Sequence, residues 1–176
     1  LKGVLPSFLK EKPVQPLNKK VLISSMGAFD AKTEGIYGKV IEASGYEIHV
    51  LTDYDPFIAD IFALYGITKI HFRESFLKYN LFTDYEKKVD ELFAKNLSSE
   101  EFFELMEAGI KIGKLATSTF MRKTRKGSLT LEIAEDREMF RKTLIESFKA
   151  KDFAFKVIET IKPDLVFIVA RGYTTE

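Results

Sequence analysis

The stretch from Val21 to Thr52 constrains the fold of this chain more than any other. "VLISS" (Val21–Ser25) is a short apolar, partly β-branched run that ends in the polar, glycine-containing loop "MGAFDAKTEG". From Thr33 to Ser44 the apolar residues fall at Ile36, Tyr37, Val40 and Ile41, the one-sided spacing of an amphipathic helix. Gly45 stands where a helix C-terminus favours glycine. "YEIHVLT" follows, with Tyr46, Ile48, Val50 and Thr52 alternating onto one face. Strand, helix and strand within about thirty residues make a βαβ unit, and that unit forces parallel pairing through a right-handed crossover.

The rhythm continues and then breaks. Asp55-Pro56 supplies an N-cap and a first-turn proline for a short helix closed by Gly66, and "ITKIHF" reads as a third strand. Residues 74–161 are almost wholly helical in pattern. Thr83 with Glu86 and Ser98 with Glu101 match the capping box, and Leu97 with Phe102 match the hydrophobic staple. Phe102, Phe103, Leu105, Met106 and Ile110 are the expected inward face of the Ser98 helix. "TSTFMRKTRKGS" is expected to interrupt the helices before a long one runs from about Thr130 to Ile161. Lys162-Pro163-Asp164 stops that helix, and "LVFIVA" (Leu165–Ala170) reads as a strand buried on both faces. The fold class is therefore α/β, a Rossmann-like open parallel sheet of four strands in the order 3-2-1-4. A helical insertion separates strands three and four. Residues 1–18, with three of the five prolines, form an irregular lead-in to this domain at 19–176.

Composition narrows the function classes. Lysine plus arginine (27) nearly balance aspartate plus glutamate (26), so no global basic field points to nucleic acid. The chain has no cysteine, which excludes disulfides and thiolate chemistry, and no apolar run approaches the roughly 20 residues of a spanning helix. Sixteen phenylalanines and no tryptophan point to a phenylalanine-filled core. The reading is a cytoplasmic protein, with contact at a membrane periphery as an added option.

Ligands of open parallel sheets sit beyond the carboxyl ends of the strands, where strand order reverses. The loop after the first strand offers Gly27, Asp30 and Lys32. A dinucleotide fingerprint is excluded because Gly27, Gly35 and Gly38 are too widely spaced, and no Walker A motif occurs. The bland reading is a βα turn in which Asp30 or Thr33 caps the helix. Asp53 and Asp55 follow the second strand, the latter as a cap. His71 lies at the functional edge and His49 inside a strand. No ligand spacing for a metal exists, so no metal is expected. Arg122, Lys123, Arg125 and Lys126 could meet an anionic group or a membrane surface, or form a solvated loop. The end of the chain offers Arg171 for bidentate anion binding, Gly172 for close approach, Tyr173, and Glu176.

Two segments carry a resemblance. "KKVLISSMGAFDAKTEGIYGKVIEASGYEIHVLT" resembles the opening of GT-B type glycosyltransferases, and "IETIKPDLVFIVARGYTTE" resembles their later Lys-Pro-Asp–strand–Gly-x-x-x-Glu segment. The helical middle does not share it. The resemblance implies an acceptor-side N-terminal domain, truncated before a C-terminal domain that binds the nucleotide-sugar donor. The acceptor would be a glycan or a lipid-linked sugar, and no cofactor is expected in this fragment, which alone would be inactive. Asp30, His71 and Glu176 become candidates for the general base; Gly27, Lys32, Arg171, Gly172 and Tyr173 become acceptor contacts. A non-catalytic Rossmann-like ligand-binding module and half of a nucleotide-sugar epimerase are the alternatives.

Overall fold

The computed structural model describes residues 15–25, 27–53, 55–77 and 84–168. Strands β1 (Lys20–Ser24), β2 (Glu47–Thr52), β3 (Ile70–Phe72) and β4 (Leu165–Ile168) form one parallel sheet in the order β3-β2-β1-β4. This is the expected Rossmann-like arrangement. Helices α1 (Ala28–Ala43) and α2 (Pro56–Leu64) are the crossovers between the first three strands, and Ala31, Ile58, Ile61 and Phe62 pack with Val21, Ile23, Ile48 and Val50 in one core.

The helix ends follow their local chemistry. Asp55 caps α2 by accepting a hydrogen bond from the Phe57 amide at 2.9 Å, with Pro56 in the first turn. Ser44 closes α1 and Gly45 takes φ 94°, where an added Cβ would fall 2.3 Å from the Gln15 carbonyl oxygen. Only glycine satisfies both conditions.

Two expectations about α1 are corrected. Its N-cap is Gly27, in extended conformation with no side-chain cap, so neither Asp30 nor Thr33 caps it and the loop after β1 is short. The helix also buries a different face. Ala31, Glu34, Gly35 and Gly38 face inward, while Ile36, Tyr37 and Val40 are exposed. The cause is proximity: a Cβ on Gly38 would sit 2.7 Å from Ile67 Cδ1, and one on Gly35 would sit 2.4 Å from the Tyr65 ring. Small residues let the helix approach this closely, and the larger apolar ones are left on the outside.

Strand β4 departs as well. It was expected to be buried on both faces, yet Leu165, Val166 and Ile168 are exposed. Among the described residues β4 pairs with β1 alone and forms a sheet edge. Its entry is anchored by Asp164, which accepts from the Lys20 amide at 2.8 Å and donates its own amide to the Lys20 carbonyl.

The described residues divide into two compact units, those within 15–77 with 156–168, and 84–155. The second is helical: α4 (Tyr85–Ala94), α5 (Ser99–Phe103), α6 (Ile112–Thr124) and most of α7 (Ala134–Ile161). A short α3 (Arg73–Leu77) precedes them in the first unit. The helical unit's core is aromatic, as the phenylalanine content implied. Phe93, Phe102, Phe120, Phe140 and Phe148 are all buried, and Phe140 meets Phe102 and Phe120 edge-on at centroid distances of 5.5 and 6.0 Å.

Ser98 and Glu101 form the expected capping box, and Leu97 and Phe102 join the same core. Asp84 caps α4, accepting from Lys87 N, and Thr83 lies outside the described residues. Helix α5 ends at Phe103 and Met106 is exposed, which narrows the inward face expected there. Helix α6 takes in the first part of the expected break and ends at Arg125, in left-handed conformation with φ 57°, so the interruption begins inside the expected segment and lasts until α7. Basic residues at 122 and 123 suit a C-terminal turn, so they do not interrupt the helix.

Candidate functional site

The register of the sheet places the candidate site. Ser24 pairs with Leu51 and the Ser25 amide donates to the Leu51 carbonyl at 2.9 Å, so Ser25 stands beside Thr52 just beyond the strand ends. Side chains alternate across a sheet, so Ser25 and Thr52 share the face covered by α1. Glu34 is on the buried face of α1. Ser25 and Thr52 are each 0% exposed and Glu34 is 1% exposed. Ser25 Oγ, Thr52 Oγ1 and Glu34 Oε2 make no hydrogen bond among the described residues. Three buried, unpartnered polar groups at one strand edge are costly, since each forfeits about 1–3 kcal/mol of hydrogen bonding to water.

Burial holds the Glu34 carboxyl above its ordinary range. The nearby Ser25 hydroxyl opposes that shift without reaching hydrogen-bond geometry, and the negative charge of Asp30 adds to it.

A second group occupies the other face of the same edge. Arg73, just after β3, donates from Nη2 to Ser24 Oγ at 3.0 Å and forms an ion pair with Asp53, Nε to Oδ1 3.3 Å. The guanidinium therefore ties the ends of all three strands together.

His71 is on the Arg73 face, opposite Asp30. Its Nε2 lies 2.9 Å from His49 Nδ1, with the two rings stacked and nearly parallel. His49 Nε2 meets Glu47, and Glu47 also pairs with Lys69. Burial, followed by the charges of His49, Lys20 and Lys69, lowers the His71 pKa. At this spacing one ring nitrogen must accept while the other donates, so both cannot face each other protonated.

The sequence candidates thus divide. Gly27 and Asp30 lie at the first turn of α1, beside the buried cluster, whereas Lys32 is on the exposed surface of that helix. His71 belongs to a histidine–carboxylate chain on the other face. Arg171, Gly172, Tyr173 and Glu176 lie outside the described residues. In the helical unit, Lys123 pairs with Glu146 at 2.8 Å, and Lys126 donates to both oxygens of the buried Asp136 at 2.6 and 2.7 Å. Arg122 is in the last turn of α6 and Arg125 caps it.

Sequence reasoning brackets Glu34, Thr52 and Arg73 within the stretches that follow the first three strands (26–35, 52–55 and 72–75) without singling them out, and it misses Ser25. Glu34 hides inside a polar stretch whose inward face is marked by small residues, and hydropathy gives small residues little weight. Ser25 directly follows β1, the same strand-end position that marks the other stretches, and that position could have found it.

Fold and site together define an α/β protein with an open parallel sheet and a polar cluster at its carboxyl edge. Comparison with family models, curated proteins and solved structures finds no match. Among the described residues no group of histidine and carboxylate side chains could hold a metal, and no helix is long and apolar enough to cross a membrane.

Proposed function

We propose that this chain is the acceptor-side domain of a glycosyltransferase, moving a sugar from a nucleotide-sugar donor to a glycan or lipid-linked acceptor. The observation that carries this reading is the trio Ser25, Glu34 and Thr52, buried without partners at the carboxyl edge of β1 and β2. Polar groups kept unpaired at the ligand-binding edge of such a sheet are suited to a ligand rich in hydroxyls. The resemblance of the two flanking segments to GT-B enzymes supplies the reaction class.

In this reading Asp30 is the general base. It lies on the first turn of α1, near enough to Glu34 to influence its charge. The acceptor hydroxyl gives its proton to the Asp30 carboxylate. The oxygen then forms a bond to the anomeric carbon of the donor, and the sugar–phosphate bond breaks with its electron pair leaving on the nucleoside diphosphate. A second domain holds the donor, and the reaction takes place in the cytoplasm, at the membrane surface when the acceptor is lipid-linked.

The test is transfer of labelled sugar from UDP- and GDP-sugars to free and lipid-linked oligosaccharides by the natural protein that carries this chain. Asp30→Asn is expected to lower kcat by about 10²–10⁴-fold, the usual contribution of a general base. Transfer at the wild-type rate would remove Asp30 from the reaction. Acceptor binding with no transfer from any donor would favour a ligand-binding module instead.

A further inference from the structure

The charge balance at the carboxyl edge narrows the substrate class, an inference that rests on the transferase reading. We propose that Ser25, Thr52 and Glu34 bind the uncharged, hydroxyl-bearing face of the acceptor sugar, and that this site does not take a phosphate. Three carboxyl groups, Asp30, Glu34 and Asp53, stand at this edge. The guanidinium of Arg73 is the cation there among the described residues, and it is already shared between Asp53 and Ser24. A phosphate dianion brought beside the buried Glu34 carboxyl would meet like charge where repulsion is least screened. The first-turn amides of α1 favour an anion, but Asp30 already supplies one in that turn.

A sugar hydroxyl suits all three groups at once. It donates to the Glu34 carboxylate and accepts from both the Ser25 and the Thr52 hydroxyl through its two lone pairs, so each buried atom gains the partner that it lacks. The sugar of a lipid-linked acceptor therefore enters this edge, and its phosphate stays outside.

NMR titration of the chain with methyl glycosides of glucose, galactose, mannose and N-acetylglucosamine, and separately with inorganic phosphate, tests this. At least one glycoside is expected to shift the amides of Ser25, Glu34 and Thr52 saturably, while phosphate shifts none of them. Glu34→Gln should weaken glycoside binding by about tenfold or more, the loss of one hydrogen bond to a charged group. Thr52→Val, which preserves shape, should weaken it several-fold and serves if Glu34→Gln fails to fold. Saturation of the same amides by phosphate would overturn the proposal, as would silence from every glycoside or unchanged binding in both variants. Glycoside binding without transfer sinks the transferase reading and leaves this site standing. Transfer with undiminished glycoside affinity in both variants does the reverse.

Discussion

Glu34 is the residue on which site and stability meet. A carboxyl whose folded pKa is raised contributes stability that is complete below its unfolded value of 4.5 and is lost as pH rises through the folded value. At pH 7 the folded protein therefore carries a cost that glutamine does not impose. Glu34→Gln is expected to raise Tm at pH 7, with each kcal/mol worth about 2–4 °C for a chain of this size. The gain should shrink to nothing near pH 4, where Glu34 is protonated in both states. Thermal melts across that range check it, and a lower Tm at pH 7 would mean that Glu34 holds the structure together. A substitution that stabilises the fold while weakening sugar binding is the signature of a site kept strained for function.

At the scale of elements, helix α1 shows what hydropathy periodicity can and cannot read. Its existence and its glycine terminus were legible from Val40, Ile41 and Gly45, and so was the parallel pairing of β1 with β2. The buried face was not, because steric room rather than greasiness selected it: Ala31, Gly35 and Gly38 lie against the sheet. Gly38→Val should destabilise by about 1–3 kcal/mol, the cost of overpacking a filled core. Ile36→Lys and Val40→Lys should each stay within about 0.5 kcal/mol, as exposed positions do. Urea midpoints for the three variants decide the matter, and the amphipathic reading predicts the opposite order. The strand edge was legible in the same partial way. Thr52 was placed correctly from alternation, but the pairing of Arg73 with Asp53, and with Ser24 49 residues away, is encoded by no local pattern. Arg125 and Lys126 were legible as a basic cluster; that Lys126 neutralises the buried Asp136 depends on the fold of the helical unit.

For the whole molecule, the strand order and the helical middle were readable because each strand carries its own punctuation. Acid response is also a global property, read here through the group around Glu47. Hydrogen bonds from Lys69 and His49 lower the Glu47 pKa to about 2. A depressed carboxylate contributes stability that is present above 4.5 and lost as pH falls toward 2. His71, whose pKa is also lowered, acts in the same sense beginning near 6.5. Stability should therefore decline on acidification below about pH 6.5 in two stages, with Glu34 opposing the loss until the pH falls below 4.5. Lys69→Met should remove part of the lower stage in pH-dependent denaturant melts, and an unchanged profile would show that Glu47 plays no such role. The exposed edge at β4 bears on handling in a different way. A parallel strand paired on one side only, with exposed apolar side chains, is a template onto which other chains can add. For this chain, Val166→Lys, which places a charge on that edge, is expected to lower the light scattering of concentrated solutions, and unchanged scattering would clear the strand of that role.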